Sequence, residues 1–191
     1  MTNDETLDIL RETDALLEGH FELRSGLHSG QFFQCANALM HPYAAEELCR
    51  ALVLKYKEEA GDIGDVEAVI SPALGGIIVG HEVARALGTP SIFAEKKDDK
   101  LLMRRFAIKP GKRYVVAEDV VTRGGRVQET IDIVVQAGGI VAAVLLIVNR
   151  SGGKAKFDFP MYSLLEMEPV TYELGSCPLC DEGKPLVHPG S

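Results

Sequence analysis

The segment YVVAEDVVTRGGRVQET, residues 114–130, combines side chains and backbone suited to hold a sugar phosphate. Val115 and Val116 place a strand in the core, and Glu118 and Asp119 set two carboxylates where that strand emerges. A loop over residues 122–125 then feeds a helix whose apolar stripe is Val127, Ile131, Val134 and Val135. Gly124 and Gly125 let the backbone bend until successive N–H groups converge, and the helix N-terminus adds its positive dipole end. That combination is a cradle for a phosphate. The adjacent acids would repel the same anion, so they must meet a sugar diol or a bound Mg²⁺, and phosphate beside diol describes a ribose 5-phosphate. The ordinary alternative is a strand-to-helix turn whose acids cap the helix; two acids, a threonine and a double glycine together favour the site. The loop lacks the GK[ST] ending of a triphosphate-binding loop, and no strand is followed by GxGxxG, the dinucleotide fingerprint.

The elements that must position this cradle follow from periodicity. Leu7, Leu10, Asp14 and Leu17 recur at helical intervals and predict an opening amphipathic helix over residues 4–17, stopped by Gly19. FELRSGLHSGQFFQCANAL holds two short alternating runs about a Ser/Gly turn, a small hairpin. Pro42 suits the first turn of a helix that runs through Ala60 to Gly61. From residue 66 the pattern becomes strand, glycine turn and helix: VEAVIS, PALGG and IIVGHEVARAL, then RYVVAED and its helix, then IVAAVLLIVN and YSLLEM. Short β-branched strands alternating with helices predict an α/β fold, a doubly wound parallel sheet with helices on both faces and a small N-terminal hood.

With 191 residues, the prior is one domain, divided into residues 1–60 (helix, hood hairpin and helix), 61–160 (α/β core) and 161–191 (last strand and tail). The content of 46% hydrophobic and 25% charged residues excludes wholesale disorder. A net charge of -8 argues against a broad nucleic-acid face, so any anion must be gripped locally. The longest apolar run, residues 140–148, is too short to cross a bilayer as a helix, and the acidic start MTNDETLDIL is unlike a signal peptide, so the expectation is a cytoplasmic protein without a membrane partner.

VVAEDVVTRGGR resembles the phosphoribosyl pyrophosphate (PRPP) signature of the type I phosphoribosyltransferase family, and GHFELRSGLHSGQFFQCANAL is similar to the N-terminal segment of its orotate-specific branch. SPALGGIIVG, FAEKKDDKLLMRRF, LLIVNRSGG and the tail CPLCDEGKPLVHPGS extend the resemblance over most of the chain. It implies transfer of phosphoribose from PRPP to orotate, giving orotidine 5′-monophosphate and pyrophosphate in pyrimidine synthesis, with Mg²⁺ held through PRPP and not by direct side-chain ligation. It also implies PRPP contacts from Glu118, Asp119, Val120, Val121, Thr122, Arg123, Gly124, Gly125 and Arg126, the acids on the ribose hydroxyls and the loop N–H groups on the 5-phosphate. Lys96, Lys97 and Lys100 match a mobile loop that reaches the site of the partner subunit in a homodimer, with Lys96, Lys100 and Asp119 as the catalytic candidates. The spacing KKDDK departs from that of better-known members. Thr122 and Arg150 match orotate contacts, and a guanidinium at a strand end can pair bidentately with the orotate carboxylate. Arg24, Phe32 and Phe33 belong to the hood over the base, where aromatic faces and an Arg can sandwich a planar pyrimidine; core packing is the other fate open to the phenylalanines. In the turn over residues 72–76 some members carry a lysine where this sequence has Gly75, so contacts to pyrophosphate there would come from N–H groups.

Two rival readings share the cradle: a phosphoribosyltransferase for another base, and a PRPP-sensing regulator that binds nucleic acid, which the acidic chain disfavours. Cys177 and Cys180 form a CxxC with no second pair to complete a zinc site, so a structural or incidental role is preferred to metal binding. His20, His28, His41, His81 and His188 show no metal-ligand spacing and receive no role.

Overall fold

Thr2 starts the first helix: its hydroxyl accepts the Glu5 N–H at 3.2 Å and the Glu5 carboxylate accepts the Thr2 N–H at 2.7 Å, a capping box at the head of α1 (Asn3–Glu12). The helix does not run to Gly19. Asp14 turns to a left-handed φ of 53°, the Ala15 N–H closes on the Leu10 carbonyl at 2.7 Å, and Leu16 and Leu17 enter a strand instead. Pairing decides this: β1 (Leu16–Glu22) lies antiparallel to β2 (His28–Phe33), with Leu16 opposite Phe33 and Leu17 opposite Phe32, and those cross-strand contacts override the helical period. Gly19 sits inside β1 where its register shifts. The predicted hairpin is therefore present, its first strand beginning earlier in the chain than expected.

The computed structural model describes residues 1–23, 25–168 and 170–189. After the hairpin come α2 (Cys35–Leu39) and α3 (Pro42–Ala60), the latter with Pro in its first turn and Gly61 at its end, as expected. The α/β region then runs β3 (Ala68–Pro72), α4 (Gly76–Leu87), β4 (Ser91–Lys97), β5 (Lys100–Leu102), β6 (Arg113–Val121), α5 (Gly125–Gln136), β7 (Ile140–Asn149) and β8 (Met161–Glu166). β9 (Thr171–Tyr172) joins β2 antiparallel, and a short α6 (Pro178–Asp181) lies in the tail.

The main sheet has the order β5-β4-β3-β6-β7-β8 and is parallel except for β5. Its strands are buried on both faces. Val115, Ala117, Leu145 and Ile147 pack with Leu48, Leu52, Val79 and Val83 on one side, while Ile70, Val116, Val144 and Leu146 pack with Val127, Ile131 and Val134 of α5 on the other. This alternation is the period of two expected when helices cover both faces. From β3 the chain steps outward to β4, then returns to place β6 on the opposite side of β3. The carboxyl ends of β3 and β6 thus meet where the winding reverses, the position at which such sheets open a crevice. Among the described residues no helix is long and apolar enough to cross a membrane.

The basic stretch expected as a loop is a hairpin through Leu102. Lys97 stands opposite Lys100 in the antiparallel pair β4 and β5, and Asp98 and Asp99 make the two-residue turn with φ of 49° and 63°. Both dihedrals are left-handed, as a tight hairpin turn demands.

Candidate active site

β6 delivers Glu118 and Asp119 to the reversal point, and the loop beyond it opens α5. Gly124 takes φ +80°, and a Cβ there would stand 2.9 Å from Phe157 Cζ, so only glycine fits both the bend and the packing beneath it. No side chain caps α5. Its first-turn N–H groups remain open toward a cavity of about 400 Å³ lined by residues 118–127 and by Glu129. Every cradle residue expected from the sequence lines this one space, from Glu118 to Arg126.

The turn after β3 forms the other wall. A Cβ on Gly76 would lie 2.8 Å from Glu118 Oε1, and one on Gly75 would lie 3.6 Å from Asp119 Oδ2, so the two glycines bring the head of α4 against the acid pair. Here the Ala73–Leu74 peptide is cis. The resulting site places two carboxylates between two glycine turns, each turn opening a helix with no side-chain cap.

Glu118 is 8% exposed, and neither carboxylate has an ion-pair partner among the described residues. Each instead accepts a backbone N–H of its own strand, Asp119 N to Glu118 Oε1 at 3.2 Å and Val120 N to Asp119 Oδ1 at 2.7 Å. Burial holds the Glu118 carboxyl well above the usual carboxylate range, and the neighbouring Asp119 charge acts in the same direction. Burial also raises Asp119, against the Val120 N–H that favours its ionised form. Two acids without a cationic partner, Glu118 buried and Asp119 half-buried, suit hydroxyl donors or a hard cation with oxygen ligands.

The lysines lie elsewhere. Lys96 pairs with Asp99 at 2.7 Å, and the Asp99 carbonyl accepts from Arg126 Nη1 at 3.2 Å. Glu129 accepts the Leu101 N–H at 3.2 Å and also receives Arg126. The hairpin turn is thereby tied to the rim of the cradle by its backbone, while Lys96, Lys97 and Lys100 are exposed and outside the cavity lining. Lys97 and Lys100 make no ion pair among the described residues.

Arg150 follows β7 directly, its N–H donating to the Val121 carbonyl at 2.8 Å, so it lies near the exposed Thr122. Its guanidinium stacks 4.9 Å from the centre of the Phe33 ring, and its Nε has no hydrogen-bond partner. Burial lowers its pKa from the ordinary value. Phe33 is 5% exposed and serves this stack from below, whereas Phe32 is half-buried and packs on Phe21 at 5.8 Å. Arg24 lies outside the described residues.

The structure adds residues that sequence reasoning missed. Cys35 is buried close to the acids: burial, then the Asp119 charge, hold its thiol well above the ordinary value, with Arg150 opposing. Phe157 supports Gly124, and Glu129 joins hairpin to cradle. None carried a local signal, because each reaches the site through a contact distant in sequence. The expectation that the CxxC lacks a second pair is also corrected: β1 and β2 bring His20 and His28 to Cys177 and Cys180.

The fold and its switch point are those of the type I phosphoribosyltransferases. The orotate phosphoribosyltransferase of Mycobacterium tuberculosis, solved with inorganic phosphate, has a TM-score of 0.67 at 22% identity, covering 86% of this chain and 95% of that one. The adenine phosphoribosyltransferase of Rhodothermus marinus shares the fold equally, with a TM-score of 0.66 at 22% identity over 86% of this chain and 100% of that one. No family model matches the chain. The orotate phosphoribosyltransferase of Heliobacterium modesticaldum, in contrast, is 47% identical over 100% of this chain and 99% of its own. The chain belongs to the orotate phosphoribosyltransferase family.

Proposed function

We infer that this chain joins orotate to PRPP, giving orotidine 5′-monophosphate and pyrophosphate. The observation that carries the reading is one cavity in which two unpaired carboxylates, Glu118 buried and Asp119 half-buried, face an uncapped helix N-terminus across a double-glycine loop. The helix and loop N–H groups hold the 5-phosphate, and Glu118 and Asp119 accept the ribose hydroxyls, a pairing that relieves their burial. The N–H groups of the turn over residues 72–76 line the pyrophosphate, adjacent to the acids through Gly75 and Gly76. The bond from C1 to the pyrophosphate oxygen breaks with its electron pair on oxygen, the orotate nitrogen supplies the pair for the new bond on the opposite face, and the proton of that nitrogen is released to the departing pyrophosphate or to solvent. No side-chain nucleophile takes part.

Mg²⁺ carried by the pyrophosphate fits this oxygen-rich, uncompensated site and supplies positive charge against the leaving group. The stacking of Arg150 on Phe33 and its unpartnered Nε support a role in gripping the orotate carboxylate beside Thr122. Lys96, Lys97 and Lys100 stand outside the cavity lining of their own chain, and the family resemblance is what favours a homodimer in which the hairpin serves the partner subunit. There the lysines stabilise pyrophosphate as it departs.

Ultraviolet absorbance of orotate, followed with purified protein, PRPP and Mg²⁺ and with each component omitted in turn, tests this directly. The orotate band is expected to decline only in the complete mixture. Tight PRPP binding without that decline, together with turnover of a purine, would overturn the choice of base while leaving the cradle intact.

A further inference from the structure

His20 on β1, His28 on β2, and Cys177 and Cys180 at α6 converge on one point. Their ligand atoms all lie within 4.8 Å of one another. His20 Nε2 is 3.6 Å from Cys177 Sγ, 3.7 Å from Cys180 Sγ and 2.8 Å from His28 Nδ1, and Cys180 Sγ is 3.3 Å from His28 Nδ1. We propose that these four side chains form a structural zinc site that clamps the C-terminal tail onto the hood hairpin.

The geometry matches the ion. Zinc at about 2.3 Å from sulfur and about 2.0 Å from nitrogen sets the corners of its tetrahedron about 3.3–3.8 Å apart. Three of the four nitrogen–sulfur separations fall in that range; the two imidazoles must part by about half an ångström and the widest pair of ligand atoms, within 4.8 Å, must draw in by up to about 1 Å for the ion to be held. The tautomer is also set. His20 Nδ1 stands 2.9 Å from the Lys184 carbonyl, which can only accept, so Nδ1 carries the proton and Nε2 turns its lone pair to the cluster. Both cysteines are free thiols, and as thiolates they would neutralise a divalent ion, leaving no net charge in a site whose His20, His28 and Cys177 are 3%, 1% and 2% exposed. Two sulfurs and two imidazoles in a tetrahedron select zinc over the hard cations.

Four protein ligands leave no open position, so the ion holds structure and does no chemistry. What it holds is visible in the chain path. The Val187 N–H donates to the His20 carbonyl at 2.8 Å and the Glu22 N–H to the Val187 carbonyl at 3.1 Å, laying the tail along β1. The same hairpin carries Phe33, on which Arg150 rests. Metal at this point therefore fixes the hairpin that carries Phe33.

Metal content of the full-length protein, purified under reducing conditions from zinc-supplemented culture, is the test. About one zinc per chain is expected, falling more than about tenfold in Cys177→Ser/Cys180→Ser, with the melting temperature lowered by about 5 °C or more. Should the variant fail to fold, wild-type protein stripped of metal and titrated with Co²⁺ gives the same answer: intense visible bands of a tetrahedral thiolate site support the proposal. Wild-type protein that arrives without stoichiometric zinc, shows no such cobalt spectrum and melts at the same temperature with and without zinc overturns it. A Cys177–Cys180 disulfide in the freshly purified protein does so as well. None of these readings involves orotate or PRPP, so their failure leaves phosphoribosyl transfer untouched.

Discussion

The cradle and the thiol–imidazole cluster are built in opposite ways. The cradle occupies one uninterrupted stretch, residues 118–126, and its proposed role rests largely on backbone N–H groups at Gly124 and at the start of α5. The cluster joins side chains as much as 160 residues apart, aimed by the pairing of β1 with β2 and by the docking of the tail. A local backbone site leaves its signature in composition: glycine where φ is positive, acids where a buried strand ends. A cluster assembled from distant side chains leaves only its local half, here the CxxC of Cys177 and Cys180. The two should also fail differently, the cradle losing chemistry while the fold persists and the cluster losing fold.

The sharpest way to break that contrast is to remove the acids. Glu118→Gln/Asp119→Asn is expected to lower turnover about 10³-fold, because both acceptors proposed for the ribose lose their charge. The unliganded protein should at the same time gain stability at neutral pH. Both carboxyls have raised pKa values in the fold, so the folded state binds protons that the unfolded chain has released. The stability advantage is complete below the ordinary carboxylate range of about 4 and is lost as pH rises through the raised values. Melting temperature against pH should therefore fall less steeply in the variant than in the wild type; parallel curves would show that the acids are not strained in the free protein.

Removing the lysines should affect chemistry alone. Lys96→Ala/Lys100→Ala is expected to reduce turnover about 10²-fold with an unchanged melting temperature, since both side chains are exposed. Unchanged turnover would end their assignment. Mixing this variant with the acid-pair variant and allowing subunits to exchange tests which subunit the hairpin serves. Recovery toward about a quarter of wild-type activity is expected if it acts across a dimer, and none if it acts within its own chain.

Gly124→Ala should give the smallest effect and sharpen the comparison most finely. The new methyl meets Phe157 at a left-handed φ, which costs about 1–3 kcal/mol, measurable by denaturant unfolding. Shortening Phe157 to Leu in the same chain should recover only the steric share and leave the backbone share. Full recovery would mean that packing, not conformation, requires this glycine.

Sequence alone determined the parts whose cause is local. The buried strands within residues 66–72, 113–121 and 140–149, the helix from Pro42 to Ala60 and the acid-to-glycine cradle follow from periodicity, capping and turn chemistry between near neighbours, and the structure has them where those rules put them. Tertiary structure decided the rest. Leu16 and Leu17 fit a helical period yet joined β1, because Phe33 and Phe32 across the hairpin bury them better. Lys97 and Lys100 looked like loop residues and face each other across a tight turn. Arg150 found Phe33, Cys35 came to lie beside the acids, and two histidines without metal spacing met a cysteine pair. Each of these depends on which strands pair and which tail docks, and that choice is made by the burial of surface shared between distant segments, an energy that no single stretch of the chain contains.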